Sequence, residues 1–326
     1  MEQSPKKIYE NFLDNNLDKH TAIDLLISII ENSEDDIERI NCVENLKKMG
    51  EKNDKIYKIF ENLLLADTNE KVRNIAIEAI RDIFINRALI PMKWALEYES
   101  NYHCLVSIIE TLVKINDLES KSILISEIQK ISKIKYLDKV KRIDNKKFKK
   151  SLKSVLKSKK LEVYPHNELA DIIINYKTIS ELTKKFYSVY FELDNTLVIK
   201  LDLADVEYEV RGWKADYKNN IKDISEITGL KHLKYLTHLN ISNNQLKSIQ
   251  ELIYLKKLTH LYLSNNLIKD MENMEYIKQI INLKYVDLAH NPIASYITSQ
   301  DFEKIEVTLA KPYFYDISVL DSTDKN

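Results

Sequence analysis

The sequence predicts a mixed α and β chain of two solenoids. A helical array occupies residues 1–132, a basic helical connector 133–185, and a strand-bearing array with an N-terminal β cap and a C-terminal cap 186–326. Three observations predict this. A leucine and asparagine pattern recurs three times between Leu236 and Ile293. Apolar residues in the first 132 positions fall at helical spacing in similar blocks. The chain also has only three glycines, Gly50, Gly212 and Gly229, far apart. A dinucleotide-binding turn, a Walker loop or a nucleophile elbow each needs clustered glycines, so those enzyme classes are excluded. The length of 326 residues suits about two domains. With 49 basic and 50 acidic residues, global charge favours neither nucleic acid nor membrane.

The strand-bearing half carries the sharpest pattern. Leu236-Thr-His-Leu239-Asn-Ile241-Ser-Asn-Asn244-Gln-Leu246 is followed by Leu258-Thr-His-Leu261-Tyr-Leu263-Ser-Asn-Asn266-Leu-Ile268. A third copy reads Leu283-Lys-Tyr-Val286-Asp-Leu288-Ala-His-Asn291-Pro-Ile293, the offsets being 22 and 25 residues. Alternation at Leu239 and Ile241 predicts a short strand with those side chains inward and the residues between them facing solvent. Asn244, Asn266 and Asn291 are expected to stack as a ladder, their amides satisfying backbone groups that the turn leaves unpaired. Ile249, Leu252, Leu255 and Leu258 recur every three residues, which suits a 3₁₀ or short helical return. One such unit cannot bury its apolar face alone, so the units must stack.

Before the repeats, alternation at Val189, Phe191 and Leu193, a turn at Asp194-Asn195, then 198–203 and 206–210 predict a β-meander capping the open end. The alternative makes 198–203 a degenerate first repeat strand. After the repeats, Phe302, Ile305, Val307 and Leu309 predict a C-terminal cap.

Leu252, Leu255, Leu258, Leu261, Leu263, Asn266, Ile268 and Met271 carry a motif that resembles the short, 22-residue leucine-rich repeats of the protein phosphatase 1 regulatory type. The resemblance spans about 221–292. It implies a curved solenoid whose concave parallel strands hold partner proteins, with no catalytic residues to carry over.

In the N-terminal half the clearest helical unit is 67–83, with Val72, Ala76, Ala79, Ile80 and Ile83 on one face. Copies occur at 36–49 and 101–115, with partner helices at 56–65 and 91–98, Pro91 suiting a helix start. An aspartate ahead of the helix, with Val72-Arg73 in its first turn, resembles the second helix of a HEAT repeat. The offsets, 34 and about 29 residues, are shorter than the usual ~40–47 and closer to short HEAT-like variants. That resemblance implies a binding platform; an irregular helical bundle is the alternative.

Residues 133–160 hold thirteen Lys/Arg against Asp138 and Asp144, a local net of +11 that leaves −12 for the rest. Phe148, Leu152, Val155 and Leu156 make 145–157 an amphipathic helix. It reads as a solvated bridge or as a site for nucleic acid or an anionic surface, the first being favoured because no aromatic ladder accompanies the lysines.

Functional candidates lie between the repeat leucines. His238, His260 and Tyr285 form one row, Asn240, Tyr262 and Asp287 a second, Ser242, Ser264 and Ala289 a third. Tyrosine gives large contact area at low entropic cost, so this face is expected to bind protein partners. His238 and His260 lack a third ligand, since Asp287 is two strands away from His238. Their expected effect is pH-sensitive binding, and no metal or cofactor is expected. Trp213, in a polar stretch, is the candidate exposed anchor, whereas Trp94 is expected to be half-buried core. Cys42 and Cys104 are read as small core residues. The N-terminus lacks the apolar run of a signal peptide, so a cytoplasmic, non-enzymatic adaptor is expected.

Overall fold

The computed structural model describes residues 4–133, 150–154, 161–186, 189–206, 221–302 and 304–310. The chain forms two compact units, one of Met1–Ile131 with Leu161–Ala170, the other of Ser132–Lys160 with Asp171–Asn326.

The first unit is helical: α1 (Pro5–Leu13), α2 (Lys19–Asn32), α3 (Asp36–Met49), α4 (Asp54–Ala66), α5 (Glu70–Ile83), α6 (Leu89–Tyr98), α7 (Tyr102–Ile115) and α8 (Leu118–Lys133). Start signals are explicit. Asp18, Asp35, Asn53, Asn69 and Asn101 each accept a backbone N–H of the first turn with a side-chain oxygen. Gly50, at φ +63°, ends α3 in the left-handed conformation that glycine adopts without steric cost. α3, α5 and α7 pack in sequence, and α2, α4 and α6 pack on them. The small residues Ala76 and Ala79 on α5 are fully buried, as close helix packing demands. Cys42 and Cys104 lie in this core, and burial pushes both thiols up to about 12.

A ladder of side chains repeats along this layer. Arg39 in α3 donates to Ser33 O and forms an ion pair with Asp67 at 3.0 Å. One unit on, Arg73 in α5 donates to Asp67 O and grips Glu99 with two bonds of 2.8 and 3.1 Å. Asp67 was the expected helix-start residue; the structure gives that role to Asn69, and Asp67 instead ends α4 and receives Arg39. Burial raises the Glu99 carboxyl pKa, but Arg73 and the N–H groups of Asn101 and Ser100 outweigh it and hold it low. Glu99 is 6% exposed, so its loss leaves Nε and Nη2 of Arg73 and two backbone N–H groups without their acceptor. Glu99→Ala is expected to cost on the order of 3 kcal/mol. Urea unfolding followed by far-UV circular dichroism checks this, and an unchanged midpoint contradicts it.

The second unit contains α9 (His166–Lys185) from Asp171 onward, then β1 (Tyr190–Asp194), β2 (Leu197–Asp202), β3 (His238–Asn240), β4 (His260–Tyr262), α10 (Glu272–Gln279), β5 (Tyr285–Asp287) and β6 (Glu306–Thr308). The strands form one sheet in sequence order. β1 and β2 are antiparallel, and β2 to β6 are parallel. Leu201, Leu239, Leu261, Val286 and Val307 are direct partners along the inward column. The first four are at most 1% exposed, worth roughly 1.5–3 kcal/mol each in burial.

Two expectations change here. The strand at Leu197–Asp202 pairs antiparallel with β1 and parallel with β3, so it belongs both to a hairpin and to the parallel array. A pure meander would have made both pairings antiparallel. Likewise the expected C-terminal cap supplies β6, which continues the parallel pairing. The third expected meander strand lies almost wholly outside the described residues.

The returns follow the repeat length. Gln250–Tyr254 is a 3₁₀ segment, whereas the coil that is three residues longer holds α10. Each repeat asparagine is buried and fully used. Asn266 Oδ1 accepts from Leu246 N at 3.0 Å, and Nδ2 donates to Ile241 O and Leu263 O at 2.8 and 2.9 Å. Asn291 accepts from Ile268 N and donates to Leu263 O, and Asn244 accepts from Ile221 N and donates to Leu203 O. Each amide therefore bridges its own coil and the one before. A second bridging asparagine, Asn273, accepts from Ile249 N and donates to Lys247 O. It occurs only in the longer coil, which is why the repeat frame did not mark it. Asp205, Asn243, Asn265 and His290 occupy the same turn position at φ +49° to +60°. Aspartate and asparagine tolerate that left-handed geometry better than most residues.

Asn266→Ala leaves the buried Leu246 N–H without an acceptor and removes one of the two amide donors at Ile241 O and at Leu263 O, which keep Asn244 and Asn291. We expect a loss of about 3 kcal/mol, read from urea unfolding of the full chain. Asn265→Gly, which removes an exposed amide at the neighbouring left-handed position without straining the backbone, serves as comparison. Equal effects of the two would contradict the bridging role.

Candidate functional site

The parallel register extends the sequence-derived rows in both directions. Lys200, His238, His260, Tyr285 and Glu306 are successive partners in the first row. Asp202, Asn240, Tyr262, Asp287 and Thr308 are successive partners in the second. The hairpin adds Glu192 opposite Lys200 and Tyr190 opposite Asp202. These six outer residues lie on β1, β2 and β6, which lack the asparagine that marks the repeats. Their alternation alone was a signal.

The first row is built around a ring stack. The His238 and His260 imidazoles are 4.3 Å apart and within 4° of parallel, and Tyr285 continues the column at 5.9 Å from His260. The preceding threonines orient them. Thr237 Oγ1 donates to Ile199 O at 2.8 Å and lies 2.9 Å from His238 Nδ1. Thr259 does the same with Thr237 O and His260 Nδ1. With its one proton given to the carbonyl, each hydroxyl must accept from Nδ1–H, which leaves Nε2 as the acceptor of the neutral ring. Parallel stacked rings direct their lone pairs side by side, whereas a zinc ion needs ligand atoms converging on one point. Among the described residues no group of three or more His, Cys, Asp or Glu is placed to hold a metal ion.

The second row mixes support with presentation. Asp202, Asn240 and Asp287 each use Oδ1 to accept the N–H two residues on, from Ala204, Ser242 and Ala289, at 2.9, 3.0 and 3.0 Å. Such turns fix the side chain and shape the strand end. Tyr262 takes no such part and packs on Tyr285 with centroids 5.4 Å apart. The third row is less available than expected. Ser242 and Ala289 are buried, and the Ser242 hydroxyl donates to Asn240 Oδ1; Ser264 is half-buried. A cavity of about 360 Å³ opens on the face, lined by Tyr190, Lys200, Asp202, His238, Asn240 and Tyr262 among others.

Trp213 and most of 133–160 lie outside the described residues; within that segment, 150–154 is helical with Leu152 buried. Trp94 is not the half-buried core residue expected. It is 45% exposed and packs at 4.4 Å on Tyr98, beside a cavity of about 220 Å³ bounded by Leu64, Leu65 and Ala66. Among the described residues, no helix is long and apolar enough to cross a membrane.

Residues 236–276 match the family model of leucine-rich repeats in two copies. The match covers β3, β4 and the turns after them, while the strand register and the asparagine bridges continue beyond it on both sides. No curated protein matches the chain.

Burial, then His260 and Lys200, lowers the His238 pKa, with Glu192 opposing. The folded state thus binds its proton less readily than the unfolded chain at 6.5. The stability contributed by neutral His238 is complete above 6.5 and is lost as pH falls below that value through the folded-state pKa. An NMR titration of the His238 ring is expected to give a midpoint below 6.5 that rises in His260→Gln. A midpoint at or above 6.5 in the unaltered chain contradicts the arrangement.

Proposed function

We propose that the chain is a non-enzymatic adaptor that holds a partner protein on the outward face of its sheet. The observation that carries this reading is the unbroken side-by-side alignment of aromatic, imidazole and polar side chains over five parallel strands. A row at about 4.8 Å spacing, fixed by stacking and by turn-capping bonds, loses little entropy when a partner settles on it. Tyr262 and Tyr285 supply the large, stiff surfaces on which interface energy concentrates. The family match agrees in kind, since leucine-rich repeats generally mediate protein–protein interaction.

In this reading the two halves are both solenoids. The C-terminal one is of the short, phosphatase-regulatory leucine-rich type over 186–326. The N-terminal one is HEAT-like over 1–132, with 133–185 connecting them and the whole acting in the cytoplasm. The arginine ladder Arg39–Asp67 and Arg73–Glu99 supports the helical repeat, because the same contact recurs one unit apart. A second protein surface on the helical half fits the exposed Trp94 and Tyr98.

The test is affinity capture from the source cell with the full chain as bait. Tyr262→Ala combined with Tyr285→Ala is expected to reduce the captured partner at least tenfold while leaving the circular dichroism spectrum unchanged. Undiminished capture would refute the sheet face as the binding surface.

A further inference from the structure

Charge on the sheet face is one-sided. The two rows with their hairpin extension carry four carboxylates, Glu192, Asp202, Asp287 and Glu306, and a single amine, Lys200. Lys200 is already paired with Glu192 at 3.0 Å. Asp202, Asp287 and Glu306 have no ion-pair partner among the described residues. Asp202 and Asp287 each spend only Oδ1 on the turn that follows, so the side chain is held still while Oδ2 is left over. Tyr262 is the register neighbour of Asp287, and Tyr285 that of Glu306. A cation lying over these rings meets a π face and a carboxylate together.

Resting on the reading that this face holds a protein, we infer that the partner offers a basic, extended segment whose lysine or arginine side chains lie against Asp202, Asp287 and Glu306. The spacing agrees with an extended occupant. Asp202 and Asp287 are three strand steps apart, about 14 Å at ~4.8 Å per step. Four residues of extended chain at ~3.4 Å each span the same distance, and residues i and i+4 of a strand point the same way. Cations four positions apart therefore reach both carboxylates from one side of the segment.

The test uses the full chain and a labelled twelve-residue peptide of alternating lysine and serine, with glutamine replacing lysine in the control. Fluorescence anisotropy at low salt is expected to show binding of the lysine peptide and none of the control. The lysine-rich 133–160 segment repels this probe, so it cannot be the source of the binding. The variant is Asp202→Asn with Asp287→Asn and Glu306→Gln. Asn240 already performs the same capping with an amide oxygen, so the asparagines keep the turns. Affinity is expected to fall at least tenfold with an unchanged thermal midpoint. No binding to the unaltered chain at millimolar peptide, or equal binding to the variant, overturns the inference. Partner capture separates the two readings. If the tyrosine double variant loses the partner and the charge-neutral variant keeps it, the adaptor reading stands and the basic segment falls. If both variants keep it, both readings fall.

Discussion

The buried asparagine amide is the contact on which the second unit depends. A strand of three residues forms too few hydrogen bonds to stand alone, and the turn after it leaves N–H and C=O groups pointing into an apolar interior. Asn244, Asn266 and Asn291 each meet that need twice, taking an N–H from the preceding coil and giving protons to carbonyls at the strand ends. An unpaired buried polar group costs about as much as a buried leucine gains. The leucine columns supply the driving force, and the amides decide that only one register can collect it.

That register is also what makes the opposite face useful. Inward alternation of Leu239, Leu261 and Val286 places His238, His260 and Tyr285 in one line on the other side, and threonine hydroxyls then lock the rings into a stack. The face is thus assembled by the core, with side chains whose rotamers are set before any partner arrives. Its acidic surplus results from the same register, which sets Asp202 and Asp287 in one row and spends half of each carboxylate on the local turn.

The sequence was most legible where chemistry and spacing coincided. Leucines at fixed intervals with an asparagine admit few solutions, so the parallel pairing of Leu239, Leu261 and Val286 could be read directly, as could the helices capped by Asp35 and Asn101. Legibility faded where a position does its work through a neighbour far along the chain. Lys200, Asp202, Glu306 and Thr308 join the rows only because β2 and β6 pair in register, and neither strand carries the marker asparagine. Asn273 bridges coils from a segment that exists only in the longer repeat. Ser242 has the right alternation for exposure, yet its hydroxyl turns back to Asn240, a preference that local hydrogen bonding decides and periodicity does not. In the helical unit, an aspartate ahead of α5 is a local signal, while the ion-pair partner of Asp67, Arg39, is 28 positions away.

Amide hydrogen exchange at Leu246 and Ile268 tests the central claim most directly. These two N–H groups lie outside any strand and donate only to the side-chain oxygens of Asn266 and Asn291. If the asparagine bridges hold the coils together, both amides exchange about as slowly as Ile241 and Leu263, with protection of roughly a thousandfold or more. Exchange at the rate of an open loop, beside protected strand amides, would contradict the account.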